Sequence, residues 1–155
     1  VMGSDSDLSV MKKCVDQLNE FGIEPQLRVI SAHRTPDIAA EFADKAEENG
    51  IKVIIAAAGM AAHLAGSLAA RTTLPIIGVP IIASESPSGL DALLSTVQMP
   101  PGVPVATVTM GKAGAKNAAI LAVQIIALTD DQLAEKLKHF KKSQTTKVIE
   151  KDKAI

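Results

Sequence analysis

Five apolar segments of strand length alternate with five amphipathic segments of helix length along this chain. That alternation makes βαβ crossovers, and hence a parallel sheet covered on both faces by helices. Strands are expected near 1–2, 26–30, 52–57, 75–80 and 104–109, and helices near 8–21, 36–49, 61–72, 89–97 and 114–127. Local signals agree with the periodicity. Leu8, Met11, Val15 and Leu18 form one apolar stripe closed by Gly22; Pro36 follows Thr35 as a first-turn residue follows an N-cap; and Gly50 ends the second helix after Asn49. A sixth helix is expected to begin at Thr129, whose spacing to Gln132 makes a capping box, and to turn Leu133, Leu137 and Phe140 inward. The reading is a three-layer, doubly wound α/β domain over 1–155, with 128–155 as a C-terminal helical extension and no repeat or interdomain linker.

Composition narrows the function classes. A formal charge of −1 gives no general attraction to nucleic acid or an anionic membrane, and the seven Lys against five acids of the last 26 residues read as a solvated helix face. The single cysteine, Cys14, has no CxxC partner and reads as an inert, partly buried thiol that fits a reducing cytoplasm. Neither a signal peptide nor an apolar run of about 18 residues is found, so neither secretion nor membrane spanning is expected. Val1 falls inside the first strand, whose start is expected to lie outside the sequence. With 24 alanines, three Phe and no Trp or Tyr, the core is poor in large side chains, and burying further surface between copies is expected to help it. A homo-oligomer follows.

Chemically capable residues fall in three loops at the C-terminal ends of strands, the edge along which open α/β sheets bind ligands. In GSDSD (3–7), Gly3 permits close backbone approach, while Ser4, Ser6 and the following helix offer hydroxyls and free amides to a phosphate. Asp5 and Asp7 would repel a pyrophosphate, and GxGxxG is absent, so a carboxylate accepting from sugar hydroxyls stands beside the plainer reading that Ser6 or Asp7 caps the helix. SAHRTP (31–36) sets the imidazole of His33 beside the guanidinium of Arg34, a proton carrier next to a bidentate phosphate clamp. AGMAAHLAG (58–66) carries His63 among Gly59 and small alanines, either near a ligand or as an oriented supporting histidine. His139, on the last charged helix, reads as a surface or packing residue, and neither zinc spacing nor a P-loop lysine occurs, so no metal site is expected.

Five motifs together resemble the N5-carboxyaminoimidazole ribonucleotide mutases of purine biosynthesis. They are MGSDSD (2–7), SAHRTPD (31–37), AAHLAG (61–66), GLDALLSTVQMPPGVPVATV (89–108) and KNAAILAVQIIA (116–127), in the family's order over nearly the whole chain. The resemblance implies a flavodoxin-like three-layer subunit assembled as a cytoplasmic homo-octamer, taking a small ribonucleotide as substrate and no nucleic acid or membrane. It implies an isomerase that moves a carboxylate from the exocyclic nitrogen of a carbamate to C4 of its imidazole, by decarboxylation and recarboxylation, without ATP, metal or biotin. His33 would be the general acid and base; Ser4, Asp7 and Arg34 would bind the ribose phosphate; Ser31, Gly59 and His63 match further site positions. Met60 stands where many relatives have Gly, and Ala65 where many have Pro.

Beside a purely regulatory or scaffolding domain, for which His33→Asn would leave every measurable activity unchanged, two other readings stay open. A related class carboxylates aminoimidazole ribonucleotide directly with CO2, typically with Lys after the second motif's histidine; Arg34 and AAHL (61–64) favour the mutase class. A flavodoxin-like module holding a flavin or nucleotide is the other, opposed by the lack of Trp and Tyr to stack on a flavin.

Overall fold

The computed structural model describes residues 1–155 and contains helices α1 (Leu8–Glu20), α2 (Pro36–Asp44), α3 (Leu64–Ala69), α4 (Leu90–Val97), α5 (Gly111–Ile126) and α6 (Asp131–Asp152), with parallel strands β1 (Ile54–Gly59), β2 (Ile76–Ile81) and β3 (Ala106–Thr107). β1 runs beside β2 from Ile54–Ile76 to Gly59–Ile81, and β2 beside β3 at Ile77–Ala106 and Gly78–Thr107. Met2 forms parallel bridges to Ala57 on one side and Val29 on the other. Across the sheet the order is therefore Val29, Met2, β1, β2, β3. This is the flavodoxin-like winding, and its switch point lies between Met2 and β1.

The strands expected at 1–2 and 26–30 are reduced to those bridges. Met2 N–H donates to Arg28 O (3.0 Å), Ile30 N–H to Met2 O (2.9 Å) and Gly3 N–H to Ala57 O (3.0 Å), after which the chain leaves the sheet. β3 begins at Ala106 rather than 104, because Pro104 has no amide hydrogen to add to a ladder.

Strand residues alternate between two apolar layers, as a sheet buried on both faces requires. Ala57, Ile77, Val79 and Ile81 join Met11, Cys14 and Leu18 of α1 and Ala115, Ala118, Ala119, Ala122 and Val123 of α5. Ile54, Ala56 and Ile76 join Ala39 and Ala43 of α2 and Leu64, Ala65 and Leu68 of α3 on the other side. Cys14 is 3% exposed and its thiol is pushed up to about 11 by burial, which leaves it inert.

The helix ends carry several corrections. Gly22 closes α1 as expected, with φ 81°: its N–H reaches Asn19 O (2.9 Å) and Ile23 N–H reaches Leu18 O (3.0 Å), the paired bonds of a Schellman turn. The second helix ends at Asp44, not 49. Its chain tightens through Ala46 N–H to Ala43 O (3.4 Å), and the turns of 45–50 are then closed at Gly50 by Ile51 N–H to Ala46 O (3.1 Å). α3 starts at Leu64 because Ala62 and His63 are held in tight turns by Met60 O (2.9 Å) and Ala61 O (2.8 Å). α5 starts three residues early, at Gly111.

Thr129 does not cap α6. Its hydroxyl donates back to Ile126 O (3.4 Å) at the end of α5, and Asp130 is the cap, its carboxylate accepting from Leu133 N–H (3.0 Å). Leu133, Leu137 and Phe140 do turn inward. Phe140 meets Phe21 edge-on (centroids 5.3 Å), while Lys136 Nζ donates to Phe21 O (2.7 Å). Residues 141–155 are exposed throughout, as is His139. No helix is long and apolar enough to cross a membrane.

Candidate active site

The switch point gathers the three loops. GSDSD becomes a short 3₁₀ turn, Asp5–Asp7, running straight into α1. Ser4 and Asp7 cap it reciprocally: Ser4 Oγ accepts from Ser6 N–H (3.3 Å) and the Asp7 carboxylate accepts from Ser4 N–H (3.2 Å). Neither Ser6 nor Asp7 caps α1 itself: Asp7 stands at its N-cap position without a side-chain bond to the helix, and the reciprocal pair of Ser4 and Asp7 closes the short turn before it. Asp7 is only 7% exposed, and burial holds its carboxyl above the usual aspartate range despite the bonds from Ser4 and Ser6.

That burial predicts a stability cost of function. A carboxyl whose affinity for protons is raised in the folded state favours folding below its unfolded pKa, and this advantage is lost as the pH rises through the folded value. At pH 7 the chain holds a desolvated carboxylate. Asp7→Asn is expected to raise Tm at pH 7, as read by scanning calorimetry. The gain should vanish as the pH falls through the ordinary aspartate range, while turnover falls.

The second loop is tied to itself. Thr35 Oγ1 donates to Ser31 O (2.9 Å) and accepts from Ser31 N–H (3.0 Å), and Ser31 Oγ accepts from Arg34 N–H (3.1 Å). Thr35 stands at the N-cap of α2 as expected, but its hydroxyl is spent on this closure rather than on the helix. The result aims His33 and Arg34 outward, both exposed. Arg34 Nη2 donates to Gly3 O (3.3 Å), joining the second loop to the first.

The third loop closes the triangle. His33 Nε2 lies 2.9 Å from His63 Nδ1, the rings nearly perpendicular at 83°. His63 is set there by Met60, whose φ of 55° is the one left-handed non-glycine backbone in the chain, and such conformations gather at functional sites. Gly59 sits where a β-carbon would come within 3.2 Å of Ile81 O and 3.4 Å of Ala83 Cβ. Its neighbour is thus a fourth loop, 82–89, to which the sequence reading gave no role. The missed signal is that this segment also follows an apolar strand. All seven residues expected at the site, Ser4, Asp7, Ser31, His33, Arg34, Gly59 and His63, lie on these first three loops at one edge of the sheet.

A cavity of about 820 Å³ lies elsewhere. It opens between 23–28 and 51–55, at the opposite ends of the strands, and holds none of those seven residues. No group of three or more His, Cys, Asp or Glu side chains gathers as a metal cluster. What the loop edge can do is bind an anion beside Arg34 and move a proton at His33.

Comparison with known proteins places the chain in a family. The family model for AIR carboxylase matches residues 1–147. The chain is 54% identical over 155 residues to the N5-carboxyaminoimidazole ribonucleotide mutase of Pyrococcus horikoshii, covering 100% of this chain and 86% of that one. It is 53% identical over 150 residues to the protein of the same name from Bacillus subtilis, covering 97% and 92%. The crystal structure of Treponema denticola PurE superposes with a TM-score of 0.87 at 31% identity, over 99% of this chain and 94% of that one. A match of that extent to the family model, with the same overall fold, means that this chain belongs to the AIR carboxylase family.

Proposed function

We propose that this chain is an N5-carboxyaminoimidazole ribonucleotide mutase of purine biosynthesis, converting the carbamate to 4-carboxy-5-aminoimidazole ribonucleotide. Carrying the reading is the meeting of the second loop with the two others, through His33 to His63 and Arg34 to Gly3, in a chain more than half identical, over its full length, to a named mutase.

The isomerisation balances on one imidazole. Protonated His33 gives its proton to the exocyclic nitrogen as the N–C bond of the carbamate breaks, its electron pair staying on nitrogen and releasing CO2. Ring C4 then attacks the CO2 carbon, and neutral His33 removes the C4 proton to restore aromaticity. Acid and base are the same residue, so the enzyme ends each turnover as it began. No oxidant, ATP or metal enters that balance. Keeping CO2 beside C4 replaces a bimolecular encounter by a positioned one, which is the main rate advantage available here.

Arg34 holds the ribose phosphate with the donors that its bond to Gly3 leaves free, together with the hydroxyl of Ser4. Asp7, acidic and close to the same turn, takes the ribose hydroxyls rather than the phosphate. Ser31 and Gly59 line the remaining wall, with Gly59 leaving room for the imidazole, and His63 belongs to the site through its bond to His33. The chain acts as one domain, 1–155, with 128–155 as its helical extension, in the cytoplasm. It assembles as a homo-octamer, supported by the apolar side chains left exposed on the subunit, among them Leu90 (54%), Val97 (49%) and Ile82 (48%). Sedimentation should give a particle several times the 16.1 kDa chain, and a monomer at micromolar concentration would remove the octamer.

Activity decides the main reading. The purified chain is expected to convert the carbamate ribonucleotide to the C4-carboxylated product with neither ATP nor added bicarbonate. Product formed only from aminoimidazole ribonucleotide plus CO2 would make it a direct carboxylase instead. A yellow, flavin-loaded protein would count against both.

A further inference from the structure

We infer that His63 is a positioning residue for His33, its Nδ1 accepting from His33 Nε2–H through the whole cycle, so that His33 exchanges its proton with substrate through Nδ1. This rests on the reading of His33 as the acid and base. The contact itself is Nε2 to Nδ1 at 2.9 Å, between residues 30 apart in sequence. Two imidazole nitrogens at that distance share one proton, because two N–H groups would repel and two lone pairs would not bond.

Two arrangements satisfy the contact, and the chemistry separates them. If His63 Nδ1–H donated to His33, the Nε2 lone pair would be occupied and a neutral His33 would carry its proton on Nδ1. No nitrogen would then be free to take the proton from C4. If His33 Nε2–H donates to His63, Nδ1 is a bare lone pair when His33 is neutral and an N–H donor when it is charged. The same ring, without rotating, is then base and acid in turn. His63 plays the part an orienting acceptor plays behind other catalytic imidazoles, fixing tautomer and direction.

The backbone shows that His63 is built to hold still. Its N–H donates to Ala61 O (2.8 Å), its carbonyl accepts from Ser67 N–H (2.9 Å), and the residues on either side, Ala62 and Leu64, are each 2% exposed. The left-handed Met60 begins this turn. Opposite, Ser31 and Thr35 lock the loop of His33. Two rigid loops therefore meet through a single hydrogen bond between side chains.

The test combines ¹⁵N-histidine NMR of the ligand-free protein with kinetics of His63→Ala and His63→Asn, the latter keeping an acceptor near the Nδ1 position. Neutral His33 should be the Nε2–H tautomer in the native chain and in His63→Asn, and a mixture of tautomers in His63→Ala. The Ala variant should lose about 10²-fold in kcat, the scale of misplacing a reacting group, with KM within ~3-fold of native, and the Asn variant should recover at least ~10-fold. An Nδ1–H tautomer in the native protein, equal kcat for the Ala and Asn variants, or a raised KM at unchanged kcat would overturn the assignment, the last making His63 a substrate contact. A native chain that does not turn over the carbamate defeats the mutase reading instead, and the ligand-free tautomers still decide the pairing.

Discussion

His33→Asn should lower kcat for the carbamate ribonucleotide by about 10²–10⁴-fold, the contribution of a positioned acid and base, with KM changed little. Asparagine is close to histidine in reach and keeps a polar group facing His63, so the loop has no cause to move. It has no proton to gain and lose near neutral pH, and both half-reactions need one. His33 is exposed, and its only side-chain bond is the one to His63, so the melting temperature should stay within about 2 °C of native. Loss of turnover at unchanged stability therefore isolates the chemistry from the fold. Turnover within about tenfold of native would mean that another group carries the proton, and His33 would be reduced to a substrate contact.

The second large effect lies in the scaffold. Gly114→Ala should destabilise the chain by more than about 3 kcal/mol, lowering Tm by at least ~6 °C in thermal unfolding. Helix propensity alone argues the other way, since alanine in place of a helical glycine gains roughly 0.5–1 kcal/mol. Sterics decide the sign. A β-carbon on Gly114 would fall 1.6 Å from Thr109 O and 2.7 Å from Thr109 C, backbone atoms of the connection between β3 and α5. A flexible side chain would swing aside; a carbonyl in a short connection moves only with the peptides around it. That shift would propagate to Ala115, Ala118 and Ala119, each fully buried on α5 against α1 and β2. A Tm at or above native would show that the connection relaxes freely and that the close approach is incidental.

Much of this was legible in the sequence because periodicity and punctuation survive without tertiary knowledge. Leu8, Met11, Val15 and Leu18 mark a stripe, Gly22 ends it, and SAHRTP and AAHL stand where strands finish. What was not legible depended on choices between residues of equal propensity. Thr129 and Asp130 are both good caps, and only the reach of the Thr129 hydroxyl back to Ile126 O assigns Asp130 to α6. Ser6 and Asp7 were both possible caps of the first helix, and neither caps it, because Asp7 pairs with Ser4 around the short turn that precedes α1. The left-handed turn at Met60 was hidden because methionine is not its usual marker; the one sign of it was that many relatives have glycine at that position. Its consequence, the placing of His63 within reach of His33, is what a one-dimensional reading is least able to see.

The mooring of α6 divides one helix into two regimes of motion. Up to Phe140 it is clasped by Leu133, Lys136 and the Phe21 ring, and its amides can open only when that clasp does. From 141 onward every residue faces solvent, and a helical stretch of about 12 residues with no apolar support is marginal in water. Fraying should therefore start at the free end and stop near Phe140, leaving the edge of the sheet that carries the three loops undisturbed. The outer turns of α6 are, in effect, a segment whose order reports its surroundings rather than the fold beneath it.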